Sequence, residues 1–515
     1  MFTGVRGHQV GERLLLTSEV RFTIADGAQG HLPGQAIQHV PGRAIGRPRR
    51  ARPAAAAEAS GWMRRFERME FSAFFRFFFK QPLSLVFLSF YLLFEYVRPQ
   101  SIYAPLEGLP WATWCMAGAV FALVLEGRLF KRWSSADIPL LLYTGVLFLS
   151  CHYAIYPARA WGELYVFLTW VIVYFLITRA VDNDARYFFF MGLFMLFSLK
   201  MSQHATRSLV ARGFSFEAWG ASGAPGWFQN SGEMAIQMTI FLPISYYFLK
   251  ALEPHLKGLT KRWKYWLIVA LPATAALALV ASSSRGGQIG GAAVLIFMIW
   301  RGKNRLKRLV ILGAVVAAGW LVLPDQQRAR FESMGEDETS QTRMTYWKDG
   351  IAVTKEHPVL GIGYENWIAY YGRNFQGFEG RRQLVHNVFL QASAELGYMG
   401  LAAFLLMIGW TFRMNAKTRK RMKARQDGRY LFYMAYGLDA ALVGFMVSGF
   451  FVTVLYYPYF WINYSLTAAL FTVARDKAKT PASAPAPVPE RPVAPRRVPM
   501  PRVAPATRVA GAPPG

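Results

Sequence analysis

The sequence predicts an all-α polytopic membrane protein with about 12 transmembrane helices and one large loop, on the outer side, between helices 9 and 10. Three observations carry this. Of the 515 residues 53% are hydrophobic and only 17% charged, whereas soluble domains are near 25% charged. The apolar residues come in runs of about 17–22, the length that crosses a bilayer core. A single polar stretch, 325–385, interrupts these runs and ends at His386, where another apolar run begins.

The net charge of +28 is that of a membrane protein with basic links. The Lys and Arg sit mainly in short segments between apolar runs, and no aromatic-basic face supports nucleic-acid binding. The two cysteines, Cys115 and Cys151, fall inside apolar runs and indicate neither a disulfide framework nor a zinc site.

In chain order, residues 1–61 are rich in Gly, Ala, Arg and Pro. Without helical periodicity or a signal-peptide core they predict a disordered basic segment, and Met63 or Met69 would also serve as a first residue. Residues 62–81 alternate Phe66, Phe71, Phe74, Phe75 and Phe77 to Phe79 with Arg64, Arg65, Arg68, Arg76 and Lys80. That is an amphipathic lead-in lying on the cytoplasmic surface. The transmembrane domain covers 82–474, with spans at 82–97, 110–126, 137–153, 161–178, 186–202, 232–250, 264–282, 287–301, 308–324, 387–412, 432–453 and 457–474. Links on one side hold 23 basic residues and the short links on the other hold six. Positive-inside bias then puts both termini in the cytoplasm and the 325–385 loop outside. Residues 475–515 are Pro- and Ala-rich and predict a disordered cytoplasmic tail.

Candidate chemistry gathers on the outer side. Ser282-Ser283-Ser284-Arg285-Gly286-Gly287 forms a short turn into a helix N-terminus. Backbone N–H groups and a planar guanidinium there suit an anion; a snorkelling interfacial arginine fits the same pattern. In the loop, Glu338 to Thr342 offers a helix start and Pro358 ends the run. Arg343 and Trp347 lie four residues apart on one face of that helix, either over a cavity or as a solvated lid. His386 stands where the loop meets a helix N-terminus, which lowers a histidine's proton affinity and suits a general base; a capping histidine fits equally. Glu395, nine residues on, is a costly intramembrane carboxylate, half a turn away from His386 and so a poor partner for a direct dyad. Arg207, Arg212, Trp219, Trp227, Phe228 and Asn230 form an outer link that lines either a substrate path or an aromatic belt. Glu163, Glu233 and Asp439 are further acids with no assigned role.

Four motifs arrive in one order: Ser284-Arg285-Gly286, Arg343-Met344-Thr345-Tyr346-Trp347, Pro358-Val359-Leu360-Gly361-Ile362-Gly363, and His386-Asn387-Val388-Phe389-Leu390-Gln391 with Glu395-Leu396-Gly397 and Gly400. Together they resemble the O-antigen ligase and O-antigen polymerase superfamily of bacterial inner membranes, over roughly 220–410. Tyr96-Val97-Arg98-Pro99-Gln100 resembles the exosortase- or capsule-associated ligase-like branch. The link at Trp227 to Asn230 fits the family pattern only loosely. The resemblance implies a periplasmic-side glycosyltransferase with a glycan on undecaprenyl diphosphate as donor, a lipid, glycan or protein as acceptor, and no metal or other cofactor. It implies Arg285 and Arg343 holding the diphosphate and His386 activating the acceptor hydroxyl. The expected substrate contacts are Arg285, Arg343, Trp347, Asn387 and Glu395. A repeat-unit polymerase of the same superfamily and, from other classes, a polysaccharide-related transporter or a sensory scaffold are the alternatives. A transporter would show paired halves with broken helices near the midplane, and no internal repeat is found.

Overall fold

The computed structural model describes residues 53–214, 220–256, 262–322, 325–333, 335–375, 384–480 and 515. These belong to a compact unit, Pro53–Gly515. The expected tails lie largely outside the described residues, as does Trp219.

Helix follows helix, with no strand among the described residues: α1 (Pro53–Glu67), α2 (Phe71–Phe78), α3 (Leu83–Tyr96), α4 (Trp111–Leu125), α5 (Asp137–His152), α6 (Pro157–Ala180), α7 (Asp184–Ala211), α8 (Ser231–Leu252), α9 (Arg262–Ala281), α10 (Arg285–Trp300), α11 (Arg305–Val322), α12 (Asp325–Glu332), α13 (Glu338–Glu356), α14 (Trp367–Asn374), α15 (Val388–Met422), α16 (Arg429–Gly449) and α17 (Pro458–Ala478). A helix covers each of the twelve apolar segments. Among the described residues five are long and apolar enough to cross a membrane, six if the bent pair α2–α3 counts as one. The chain is a multi-pass membrane protein.

Three boundaries differ from the sequence expectation. Residues 53–61, expected to be disordered, open α1, because Ala54 to Ala57 are strong helix formers and Pro53 suits a first helical position. The single lead-in helix expected over 62–81 is two, parted at Met69, whose φ of 52° is left-handed. It does more than lie on a surface: Phe66 is fully buried and stacks on Phe188 of α7 with ring centroids 5.3 Å apart. At the far end α17 continues to Ala478, past the expected start of the tail.

The core is a group of helices that pack through small residues, as helices in lipid do. A Cβ on Gly437 or Gly444 of α16 would stand 3.1 Å from Ile244 Cα or 3.0 Å from the Thr239 carbonyl oxygen of α8. A Cβ on Gly287 of α10 would stand 2.3 Å from Ala235. Two ion pairs are buried among these helices, where an isolated ion would be costly. Arg179 meets Asp137 at 3.0 Å, and Arg419 meets Asp439 at 2.5 Å with Asn415 at 2.9 Å. That pairing gives Asp439 its role.

α15 is broken. Gly397 has φ 67° and ψ −172°, so the helical ladder stops there and resumes. The turn 358–363 fills the gap. Tyr398 N donates to the Pro358 carbonyl (2.7 Å), Ile362 N to that of Ala394 (2.9 Å) and Gly363 N to that of Glu395 (3.0 Å). Ser150 Oγ of α5 reaches the carbonyls of both Leu360 and Glu395. The backbones touch so closely that a Cβ on Gly397 would stand 2.2 Å from the Val359 oxygen. Gly397→Ala is therefore expected to destabilise the protein by more than about 2 kcal/mol, from left-handed strain and overpacking. Gly409→Ala, in open space on the same helix, should leave stability unchanged or slightly raised. Thermal melts monitored by size-exclusion of the two variants check this contrast.

Candidate active site

The first piece is the α9–α10 turn. Ser282 Oγ donates to the Leu279 carbonyl (2.7 Å) and accepts from Ser284 N, and Ser284 Oγ accepts from Gly287 N as the helix N-cap. Two of the three serine hydroxyls are thus used to build the turn. The third, on Ser283, is buried without a partner among the described residues. Arg285 is the first residue of α10. Its guanidinium grips Asp337 in a two-pronged pair, Nη1 to Oδ1 at 3.0 Å and Nη2 to Oδ2 at 2.7 Å.

Asp337 is the residue sequence reasoning missed. The α9–α10 turn has no acid of its own, and the partner stands 52 positions away, just before α13. Ser340 Oγ also donates to it at 2.6 Å. Arg285 is the main reason its carboxyl is held well below the usual carboxylate range, with Ser340 adding to the effect. The only sequence signal for it is the acidic start of α13, Glu336-Asp337-Glu338.

α13 is the predicted loop helix, ended at His357 before Pro358. Arg343 has no hydrogen bond or ion pair among the described residues. Burial is the main reason its affinity for a proton is lowered; the nearby charge of Arg285 lowers it further and that of Asp337 opposes both. Two neighbours on α13 hold His386. Trp347 Nε1 donates to the His386 carbonyl (3.3 Å), and the Tyr346 ring lies 6.2 Å from the imidazole, nearly parallel to it. From the other side Thr453 Oγ1 accepts from His386 N at 2.8 Å. These contacts keep His386 at φ 52°, a left-handed conformation that costs a non-glycine residue about 1–2 kcal/mol. Burial, and then the charge of Arg343, pushes its imidazole down to about 4. The direction is the one expected from sequence, but the causes are burial and a neighbouring cation in place of a helix end.

The remaining expected contacts are engaged by the protein itself. Asn387 caps α15, its Oδ1 accepting from Phe389 N (2.9 Å) and Leu390 N (3.1 Å). Glu395 is 2% exposed; Tyr456 OH donates to Oε2 at 2.9 Å and Trp367 N to Oε1 at 3.4 Å. It ties α14, α15 and the approach to α17 together. The structure therefore gathers Arg285, Arg343, His386 and Trp347, and leaves Glu395 as an internal post. Glu233 closes a capping box with Asn230 at the start of α8. Glu163 accepts a hydrogen bond from Tyr364 OH through its backbone carbonyl. The α7–α8 link is fixed by Arg98, which donates to the Pro225 carbonyl, and by Trp227, which donates to Glu95. No group of three or more His, Cys, Asp or Glu among the described residues is placed to hold a metal ion.

Residues 238–405 match the family model described as O-Antigen ligase. They belong to the O-antigen ligase superfamily. The matched segment contains Arg285, Asp337, Arg343, the 358–363 turn, His386 and Glu395. The superfamily's enzymes are of glycosyltransferase or ligase type and work with a lipid-linked glycan donor and a glycan acceptor. No curated protein matches the chain.

The electrostatics give a direct test. A cation beside a buried imidazole depresses its proton affinity, so His386 should titrate with a midpoint near 4. In Arg343→Ala the midpoint should rise toward the ordinary histidine range. Nitrogen-15 NMR of histidine-labelled protein, with His386→Gln for assignment, checks both.

Proposed function

We propose that the chain is a glycosyltransferase that moves a glycan from undecaprenyl diphosphate to an acceptor hydroxyl at the periplasmic face of a bacterial inner membrane. In this reading all twelve apolar helices span, both termini are cytoplasmic, and segment 325–385 is the periplasmic loop. The observation that carries the proposal is charge: Arg285, held by Asp337, and Arg343, which has no ion pair among the described residues, lie near each other beside His386. That arrangement offers cations to an anion and a base to a hydroxyl.

The chemistry follows. The acceptor oxygen attacks the anomeric carbon of the donor sugar. The bond from that carbon to the diphosphate oxygen breaks, and its electron pair leaves with the lipid diphosphate. Arg285 and Arg343 stabilise the charge that grows on the leaving group, the kind of interaction that most lowers such a barrier. A ring nitrogen of His386 takes the hydroxyl proton. Asp337 holds the Arg285 fork in its binding orientation until a phosphate group, which suits the same two-pronged geometry, replaces it. An anion on Arg343 also offsets the charge that depresses His386, so the base strengthens when the donor is bound.

Transfer by the purified, reconstituted protein tests this. Arg285→Ala or Arg343→Ala should each lower kcat about 10²–10³-fold, as the loss of a transition-state donor does. His386→Ala should lower it about 10²–10⁴-fold, the usual worth of a general base, with melting temperature retained. Asp337→Asn should lower the donor KM, because the donor no longer competes with a carboxylate. Wild-type transfer by both Arg285→Ala and His386→Ala would end the assignment, and uptake into vesicles without transfer would favour a transporter. In a deletion strain, long unattached chains mean a ligase and single repeats a polymerase.

A further inference from the structure

We infer that a cavity between α2, α3, α7 and α9 binds one anionic phospholipid of the surrounding bilayer, with an acyl chain inside and its headgroup phosphate on Lys264. The inference does not rest on glycosyl transfer. The cavity has a volume of about 480 Å³ and walls that include Phe74, Phe78, Leu93, Leu196, Ile268 and Leu271. Ser89 is the sole polar side chain among its lining residues, and its hydroxyl already donates to the Leu85 carbonyl at 2.7 Å. An apolar space of this kind offers water no partners and is in the size range of ligand pockets.

The mouth has the opposite character. α2 turns by 119° from α3 and closes one side. Lys264 lies on the stripe of α9 that lines the cavity, three, four and seven residues before Leu267, Ile268 and Leu271. Its amine donates to the carbonyls of Arg68 (3.1 Å) and Met69 (3.0 Å), and Met69 is itself a lining residue. A lysine has three donors; two are used on these carbonyls, the ammonium also lies 5.7 Å from the centroid of the Trp263 ring, and it has no ion pair among the described residues. Exposed Arg68 and Arg76 also lack an ion pair there, while Glu67 faces His255 at 3.7 Å. Residues 62–81 carry five basic side chains and two acidic ones. An apolar slot under a cationic rim fits an acyl chain below an anionic headgroup. The donor lipid is a poorer occupant. α9 carries the chain from Lys264 to Ser282, roughly 27 Å at helical rise, and the reacting diphosphate belongs at Arg285, beyond that far end.

The test uses the full chain in nanodiscs of phosphatidylcholine and phosphatidylglycerol, followed by native mass spectrometry of retained lipid. One phosphatidylglycerol per chain is expected to survive, in preference to phosphatidylcholine. Lys264→Glu should cut that retention by at least about fivefold, the worth of one basic side chain at an anionic surface. Leu196→Trp, at a position 56% exposed that tolerates bulk, should reduce it by filling the cavity. Equal retention of the two lipids, retention unchanged in both variants, or displacement of phosphatidylglycerol by added undecaprenyl diphosphate would overturn the inference.

Discussion

A helix that breaks inside a membrane leaves backbone groups without partners, and lipid cannot supply them. The rest of this structure depends on how α15 solves that problem at Gly397. The turn 358–363 enters the gap and pairs its own backbone with residues 394–398. Glycines in left-handed conformation on both sides, Gly361 and Gly397, allow the approach. The docking fixes the C-terminal end of α13 against the first half of α15. Because Arg343 lies on the first of these and His386 precedes the second, one backbone interaction sets the relation between cation and base. Glu395 reinforces the joint from inside through Tyr456 and Trp367.

The second constraint is electrostatic. Arg285 comes from a turn built by serines, and Arg343 from a helix more than fifty residues later. Their like charges are brought together in a half-buried place. Asp337 grips Arg285, and among the described residues no carboxylate pairs with Arg343. The remaining positive potential is what a diphosphate would neutralise. Burial is the larger cause of the low proton affinity of His386 and this charge adds to it, so in the proposed reaction anion binding and base strength are linked through Arg343.

Much of this was legible in the sequence because it rests on local signals. Long apolar runs marked the helices, and Pro358 with the polar start at Glu338 bounded α13. The i, i+4 spacing put Arg343 and Trp347 on one face. The interactions that escaped are non-local or contrary to local propensity. Gly397 sits within an apolar run that continues after it, so the break is visible only through the distant turn that fills it. Asp337 reads as one acid in a polar loop until folding sets it against Arg285. Trp347 and Asn387, expected as substrate contacts, also position His386 and cap α15, which depends on residues or backbone that spacing alone does not bring together. The Ala run after Pro53 lacks the periodicity that marks a helix, although its propensity favours one.

The central claim is that Arg285 and Arg343 form one anion site beside His386. Equilibrium binding of an isoprenyl diphosphate to the reconstituted protein tests it most directly. Each arginine supplies charge-assisted hydrogen bonds worth about 1.5–3 kcal/mol, so each alanine variant should bind at least about tenfold more weakly than wild type. Binding by the double Arg285→Ala, Arg343→Ala variant equal to that of wild type would contradict it.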